Sequence, residues 1–355
     1  MADEIPSEMK RLVVTSPGKG TSVADCTIEI QTVPTPKPRS GQVLVKVVAA
    51  PINPSDYGSW FGSKPDSYPL VMGKEGCGIV VATGGGLTTW RCPVGTKVGF
   101  ACKGDKQGSY SEYVVMDAIT GVFPMPDDVP IEDCASFLVN PYTAVGILDT
   151  AEQAGSRTIV HTAAASQLGQ MIVKLAPMKA MEVINVVRRD DQKKILEDLG
   201  AKHIVVTSGD ESKWKSELKE KIVQTGAMCA FDAVSGDMTG HLLDCMPQKG
   251  TVYLYGNLAG RASNINPADL IYRKKQLKSF YLMSWINNGG TIQMARRMMA
   301  AGSVVNSGLK SPDGWSCSQF EDTTMEKAPD EIVKLLGSSV TGKKLRIRFD
   351  GGAKS

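Results

Sequence analysis

The stretch T-I-V-H-T-A-A-A-S-Q-L-G-Q-M-I-V-K-L-A-P-M-K-A-M-E-V-I-N-V-V-R-R, Thr158 to Arg189, decides the fold. Thr158 to Thr162 is a short β-branched run, Gln167 to Leu175 places its apolar residues at helical spacing, and Val183 to Val187 is again apolar and β-rich. The spacing predicts a strand, a turn, a helix and a second strand. At the first turn of such a unit, open backbone N–H groups and the helix dipole favour an anion, as a nucleotide pyrophosphate would be. The usual fingerprint is G-x-G-x-x-G; here Ala163, Ala164, Ala165 and Ser166 surround the first two glycine positions and Gly169 is retained.

The second strand ends on Arg188 and Arg189, with Asp190 one residue later. A carboxylate directly after that strand would bind the ribose diol of NAD. Arginines there can fork onto a 2′-phosphate, which points to NADPH. Read without a ligand, they are surface charges opening the helix Asp190 to Leu199.

Working outward, 355 residues with 42% hydrophobic and 22% charged residues describe a globular chain of about two domains. A net charge of +3 without runs of like charge gives no reason to expect nucleic acid or a membrane surface as partner. Eight scattered cysteines without a C-x-x-C pair suit reduced thiols, and the acidic, polar start Met1 to Lys10 has no apolar leader, so a cytoplasmic protein is expected.

Up to about Met125 the chain reads as strands and turns: Arg11 to Thr15, Val43 to Val48, Ile79 to Ala82, Thr96 to Ala101 and Tyr110 to Met116. From about Pro141 helices alternate with six strands, 158–162, 183–187, 203–207, 228–234, 251–255 and 280–284, which is the pattern of a doubly wound parallel sheet. The tail holds two helical stretches, Thr291 to Ala301 and Asp330 to Leu336. A final strand, Leu345 to Phe349, has no partner of its own and is expected to pack on the front. The exposed edge strand Phe280 to Ser284 predicts a homodimer.

The motifs A-A-P-I-N-P-S-D (Ala49 to Asp56), G-K-E-G-C-G-I-V (Gly73 to Val80), V-G-T-K-V (Val94 to Val98), G-S-Y-S-E-Y (Gly108 to Tyr113), N-P-Y-T-A (Asn140 to Ala144) and F-D-A-V-S-G (Phe231 to Gly236) carry a resemblance over nearly the whole chain. The sequence resembles the medium-chain dehydrogenase/reductase superfamily, in its quinone oxidoreductase and 2-enoyl thioester reductase branch. The resemblance implies a β-rich GroES-like domain, 1–137 and 286–355, around a Rossmann-type dinucleotide-binding domain, 138–285. Zinc alcohol dehydrogenases of that superfamily place a cysteine near Asn53 and a His-Glu pair at Lys74 and Glu75. With the cysteine and the histidine replaced, the site has to polarise its substrate by hydrogen bonds.

The same resemblance places Asn53, Asn140 and Thr143 beside the nicotinamide of NADPH and the turn residues Ala165, Ser166, Gln167 and Leu168 at its phosphates. Tyr255, Gly256, Asn257 and the backbone near Ser284 close over the nicotinamide end. The enoyl reductases carry a catalytic tyrosine shortly after N-P-S-D, where this chain has Lys64 flanked by Tyr57 and Tyr68. One of these three, or solvent, is the proton source. The expected activity is NADPH-dependent reduction of a quinone or an α,β-unsaturated ketone, with a 2-enoyl thioester as the alternative acceptor. A NADPH-binding structural or sensing protein with little turnover is the alternative of another class.

Two glycine-rich signals are set aside. Gly337 to Lys344 imitates a phosphate loop but leads into a strand, and Gly84 to Gly86 sits between β-segments as a turn. His161 lies within the first strand and reads as a core histidine.

Overall fold

The computed structural model describes residues 4–17, 23–58, 60, 68–102, 107–310, 314–337 and 342–349. They form two compact units, Met1–Val139 with Asn306–Ser355, and Asn140–Val305.

The first unit starts with β1 (Glu8–Ser16), β2 (Thr27–Pro34) and β3 (Gln42–Pro51), then a single helical turn, α1 (Pro54–Tyr57). The strands β4 (Leu70–Val71), β5 (Glu75–Thr83), β6 (Lys97–Ala101), β7 (Tyr113–Asp117) and β8 (Val122–Pro124) follow. β2, a strand the sequence reading lacked, pairs with β1 in antiparallel register from Glu8↔Pro34 to Ser16↔Thr27. Its sequence T-I-E-I-Q-T-V-P carries the polar and apolar alternation of such a strand, with Ile28 and Val33 half-buried and Ile30 exposed. Among the described residues β5 is sandwiched between β3 and β6, and Val45, Val47, Val80, Val98 and Phe100 fill the core beside them.

The second unit begins on α2 (Val139–Gln153) and runs β9 (Thr158–Thr162), α3 (Gln167–Met178), β10 (Glu182–Val187), α4 (Asp190–Asp198), β11 (His203–Val206), α5 (Glu211–Thr225) and β12 (Cys229–Asp232). It continues through α6 (Asp237–Cys245), β13 (Thr251–Leu254), α7 (Pro267–Ile271), β14 (Gln276–Ser279), α8 (Leu282–Asn287) and α9 (Gly290–Leu309). The six strands lie in the order β11-β10-β9-β12-β13-β14, all parallel. The order reverses between β9 and β12, and ligands of open α/β sheets bind outside the strand ends at that switch point. Every residue of β9, and all of β10 after Glu182, is buried, as a sheet covered on both faces requires.

Two expectations are corrected here. The sixth strand is Gln276–Ser279, while residues 282–287 form α8. The β14 side chains are mostly exposed, so this polar edge strand lacks an apolar signature. Of Phe280 to Trp285, Phe280 and Trp285 turn inward: a Cβ on Gly146 would stand 2.8 Å from Phe280 and 3.0 Å from Trp285, and the Trp285 indole N–H donates to Asp149 at 2.7 Å, whereas Tyr281 and Met283 are exposed. The chain rejoins the first unit at Asn306 instead of 286. Arg297 donates to the Trp285 carbonyl at 2.8 Å and also to Asn288, which ties the front of α9 to α8.

The tail adds β15 (Phe320–Thr324), α10 (Ala328–Gly337) and β16 (Lys344–Arg348). β16 pairs antiparallel with β3, so the tail does pack on the front. It is not without a partner of its own: β15 runs parallel to it from Phe320↔Lys344 to Thr324↔Arg348. Arg346 fastens the two strands with a fork onto Asp322 at 2.6 and 3.0 Å.

Candidate active site

In the first unit, β3 delivers the chain to Asn53, which caps the short α1. The Asn53 N–H donates to Asp56 Oδ2 at 2.7 Å, and its side-chain amide donates to Glu75 Oε1 at 3.0 Å. Glu75 can only accept, so the amide NH2 must face it. Asn53 Oδ1 is buried and has no partner among the described residues.

Glu75 opens β5 and is fully buried. Its second oxygen accepts the N–H groups of Leu138 and Val139 at 3.0 and 2.9 Å. The Lys344 ammonium stands 3.7 Å from the first oxygen and donates to Ser136 Oγ at 2.7 Å. Burial pushes the Lys344 pKa down, against the attraction of Glu75 and Asp56. A buried cation thus faces the glutamate, and the Lys74 ammonium reaches the Ser55 carbonyl. Among the described residues, no three His, Cys, Asp or Glu side chains are grouped to hold a metal ion.

Asp56 also accepts the Tyr110 hydroxyl at 2.8 Å. Burial lifts its carboxyl from 3.8 to about 6, while the hydrogen bonds from Asn53 and Tyr110 and the charge of Lys74 pull the other way. Tyr57 follows directly. Its ring packs edge-on against Trp60, and burial, aided by Asp56, raises its phenol to about 12. Tyr68 instead donates its hydroxyl to the Trp60 carbonyl. Of the three candidates for the proton source, Tyr68 is occupied in this way, the Tyr57 hydroxyl is engaged by none of the described residues, and Lys64 lies outside them.

In the second unit, β9 leads into the turn Ala163 to Ser166. Ala163 holds a left-handed φ of 51°, a conformation glycine takes more readily. Ser166 caps α3, its Oγ accepting the Gly169 N–H at 3.1 Å. A Cβ on Gly169 would lie 2.1 Å from the Ala164 carbonyl, so the helix packs on the turn only because residue 169 is glycine. Ala165 and Gln167 are buried, and Leu168 is half-buried. Thr143 is buried on α2, and Asn140 is half-buried at its start. Ser284 is exposed on α8, its carbonyl bonded by Asn288 N–H.

At the end of β10, Arg188 is exposed, and its N–H donates to Gln192 Oε1 at 2.9 Å. Arg189 spends its fork on Asp191, at 3.0 and 3.1 Å. The two arginines are therefore not equivalent.

Beyond β12 and β13 two loops are zipped together, a feature the sequence reading missed. Tyr255 and Gly256 donate N–H bonds to the Asp232 carbonyl, and Ala259 donates to Val234. The Asp232 carboxylate, fully buried, accepts from Thr162 at 2.9 Å, Thr239 at 2.8 Å and the Val234 N–H at 2.9 Å. Its signals in the sequence are an acid closing the otherwise apolar run C-A-F-D and its place in the motif F-D-A-V-S-G. Gly256 is needed for the approach, since a Cβ there would stand 2.4 Å from the Ala233 carbonyl. His161 Nε2 lies 2.6 Å from the Tyr255 hydroxyl, with the rings stacked at 5.9 Å.

Residues 39–127 match the family described as alcohol dehydrogenase GroES-like domain, and residues 168–305 match zinc-binding dehydrogenase. The chain is 30% identical over 261 residues to the mitochondrial enoyl-[acyl-carrier-protein] reductase of Xenopus tropicalis, covering 70% of this chain and 71% of that protein. With the human enzyme of the same name the identity is 28% over 349 residues, 94% of this chain and 88% of that one. Among solved structures it is similar to a protein described as a candidate NADPH:quinone reductase from Mesorhizobium loti. The TM-score is 0.82 at 29% identity, over 98% of this chain and 100% of the other. Escherichia coli quinone oxidoreductase complexed with NADPH shares the fold at TM-score 0.78 and 18% identity, over 95% of this chain and 99% of that one.

Proposed function

The chain belongs to the zinc-free quinone oxidoreductase and enoyl reductase branch of the medium-chain dehydrogenase/reductase superfamily, and on that premise we propose a NADPH-dependent reductase of activated double bonds. The acceptor is an α,β-unsaturated carbonyl compound or a quinone. The relatives named above favour the enoyl thioester as one form of it, and the Mesorhizobium neighbour favours the quinone.

The observation that carries the reading is the turn after β9, with Gly169 packed on Ala164 and Arg188 exposed beyond β10. This arrangement fits a dinucleotide with a 2′-phosphate. NADPH, when bound, supplies the hydride. The chain's own residues bind and orient: the start of α3 favours the pyrophosphate, Arg188 the 2′-phosphate, and Asn53 offers the buried Oδ1 to a donor. Tyr57, at the end of α1 and held protonated by its surroundings, is the proton source. Asn140, Thr143, Asn257 and Ser284 belong to the same reading as nicotinamide-side residues.

A homodimer through the exposed edge β14 and a cytosolic setting complete the proposal. Both rest on chemistry: among the described residues β14 pairs with β13 on one side only, and all eight cysteines are free thiols. The test is NADPH oxidation followed by absorbance against trans-2-enoyl-CoA, a medium-chain enone, 1,4-benzoquinone and a 1,2-quinone. Turnover with at least one, falling in Tyr57→Phe for the unsaturated carbonyls, is expected. NADPH binding without turnover on any of them would favour a sensing or structural role.

A further inference from the structure

Neutral imidazole carries one N–H and the phenol one O–H, yet His161 and Tyr255 share a single hydrogen bond. One of the two hydrogens is therefore left over. If it sat on His161 Nδ1, it would be a buried donor facing nothing, because that atom is buried without a partner among the described residues. Such a donor carries the full cost of its lost hydration. If instead Nε2 holds the hydrogen and donates to the phenol oxygen, the spare hydrogen is the Tyr255 O–H. This arrangement leaves the open donor on Tyr255, in the loop after β13, and none on the buried strand β9.

The position of the pair gives that donor a purpose. His161 lies in β9 and Tyr255 directly follows β13, so their bond crosses over β12 at the switch point of the sheet. Tyr255 cannot drift, because its N–H is fastened to the Asp232 carbonyl at 3.0 Å. We propose that His161 holds Tyr255 as a hydrogen-bond donor to an acceptor on the nicotinamide half of NADPH, an inference that rests on the cofactor reading above. His161 is a positioning residue, and Tyr255 is the group that touches the ligand. Burial alone pushes the His161 pKa down to about 3, so the ring stays neutral and the arrangement persists across the neutral range.

The chain has three histidines, which makes nitrogen-15 labelling of the imidazoles decisive. The His161 resonances are expected to show a neutral ring with hydrogen on Nε2, unchanged between about pH 8 and about pH 5, and to shift on adding NADPH. Hydrogen on Nδ1 would overturn the proposal in the unmodified protein, whatever a variant does. In binding titrations, Tyr255→Phe should weaken NADPH by roughly three- to tenfold, the worth of one neutral hydrogen bond. It should leave 2′,5′-ADP, which lacks the nicotinamide, unaffected. Equal weakening of both ligands, or of neither, would also overturn it. An unmodified chain that binds no NADPH would sink the cofactor reading itself.

Discussion

Removing the ammonium of Lys344 tests the charge cluster around Glu75. The two groups stand 3.7 Å apart with side chains 6% and 0% exposed. At an effective dielectric of about 20, charges at that distance attract by about 4.5 kcal/mol. Three N–H donors, from Asn53, Leu138 and Val139, remain on the carboxylate in Lys344→Met, but they do not replace a counter-charge. The variant is expected to lose about 3–5 kcal/mol of unfolding free energy, the range for a buried pair broken on one side. Urea unfolding followed by the fluorescence of Trp60 and Trp315, both buried in the first unit, measures it. Adding Glu75→Gln should restore most of the loss. The neutral amide of that second substitution can accept from Leu138 and Val139 and donate to Asn53, provided the Asn53 amide turns over to offer its oxygen. A Lys344→Met protein within about 1 kcal/mol of the parent would refute the reasoning.

Three further outcomes are expected. Asp56 titrates at about 6 in the folded chain against 3.8 ordinarily, so the folded state holds its proton more tightly. The stabilisation is complete below about pH 4 and is lost as pH rises through 6, about 3 kcal/mol in all. Measured against Asp56→Asn, which keeps an acceptor oxygen but cannot ionise, the parent should gain most of that, about 2.4 kcal/mol, between pH 7 and pH 4 in urea titrations. Arg188→Ala should raise the Kd for NADPH by roughly tenfold or more and leave NADH unchanged, with Arg189→Ala having the smaller effect because Asp191 already holds its fork. Gly169→Ala drives a methyl into the Ala164 carbonyl; thermal melts should show a loss of about 1–3 kcal/mol, and NADPH titrations a matching loss of affinity.

The dinucleotide unit is legible in the sequence because β9, β10, β12 and β13 are mostly buried apolar runs, and the half-buried β11 is apolar too, with helices between them. Period and burial agree there. β14 escapes the same test, since an exposed edge strand is polar, and of the apolar residues after it Phe280 and Trp285 pack beside Gly146 of α2. β15 is hidden likewise: F-E-D-T-T is a surface strand whose pairing is secured by Arg346 across the ladder. In the site, Asn53, Tyr57 and Arg188 can be picked out by neighbours in sequence. Asp232, Lys344 and His161 act through partners 70, 208 and 94 residues away, and spacing along the chain holds no trace of such pairs. Lys344 is the clearest case. Read with Gly337 it ends an imitation phosphate loop, while in the fold it is the buried cation opposite Glu75.

The turn at Ala163 to Ala165 has one more consequence. Glycines would let that segment wander through many backbone shapes before a ligand arrives, and binding would then have to freeze them. Methyl groups on three successive residues narrow the choice in advance. The left-handed bend at Ala163 is set when the chain folds, so docking a dinucleotide loses less conformational entropy there than a flexible glycine turn would. The substitution that weakens the fingerprint on paper leaves the protein with a stiffer, pre-shaped landing for its cofactor.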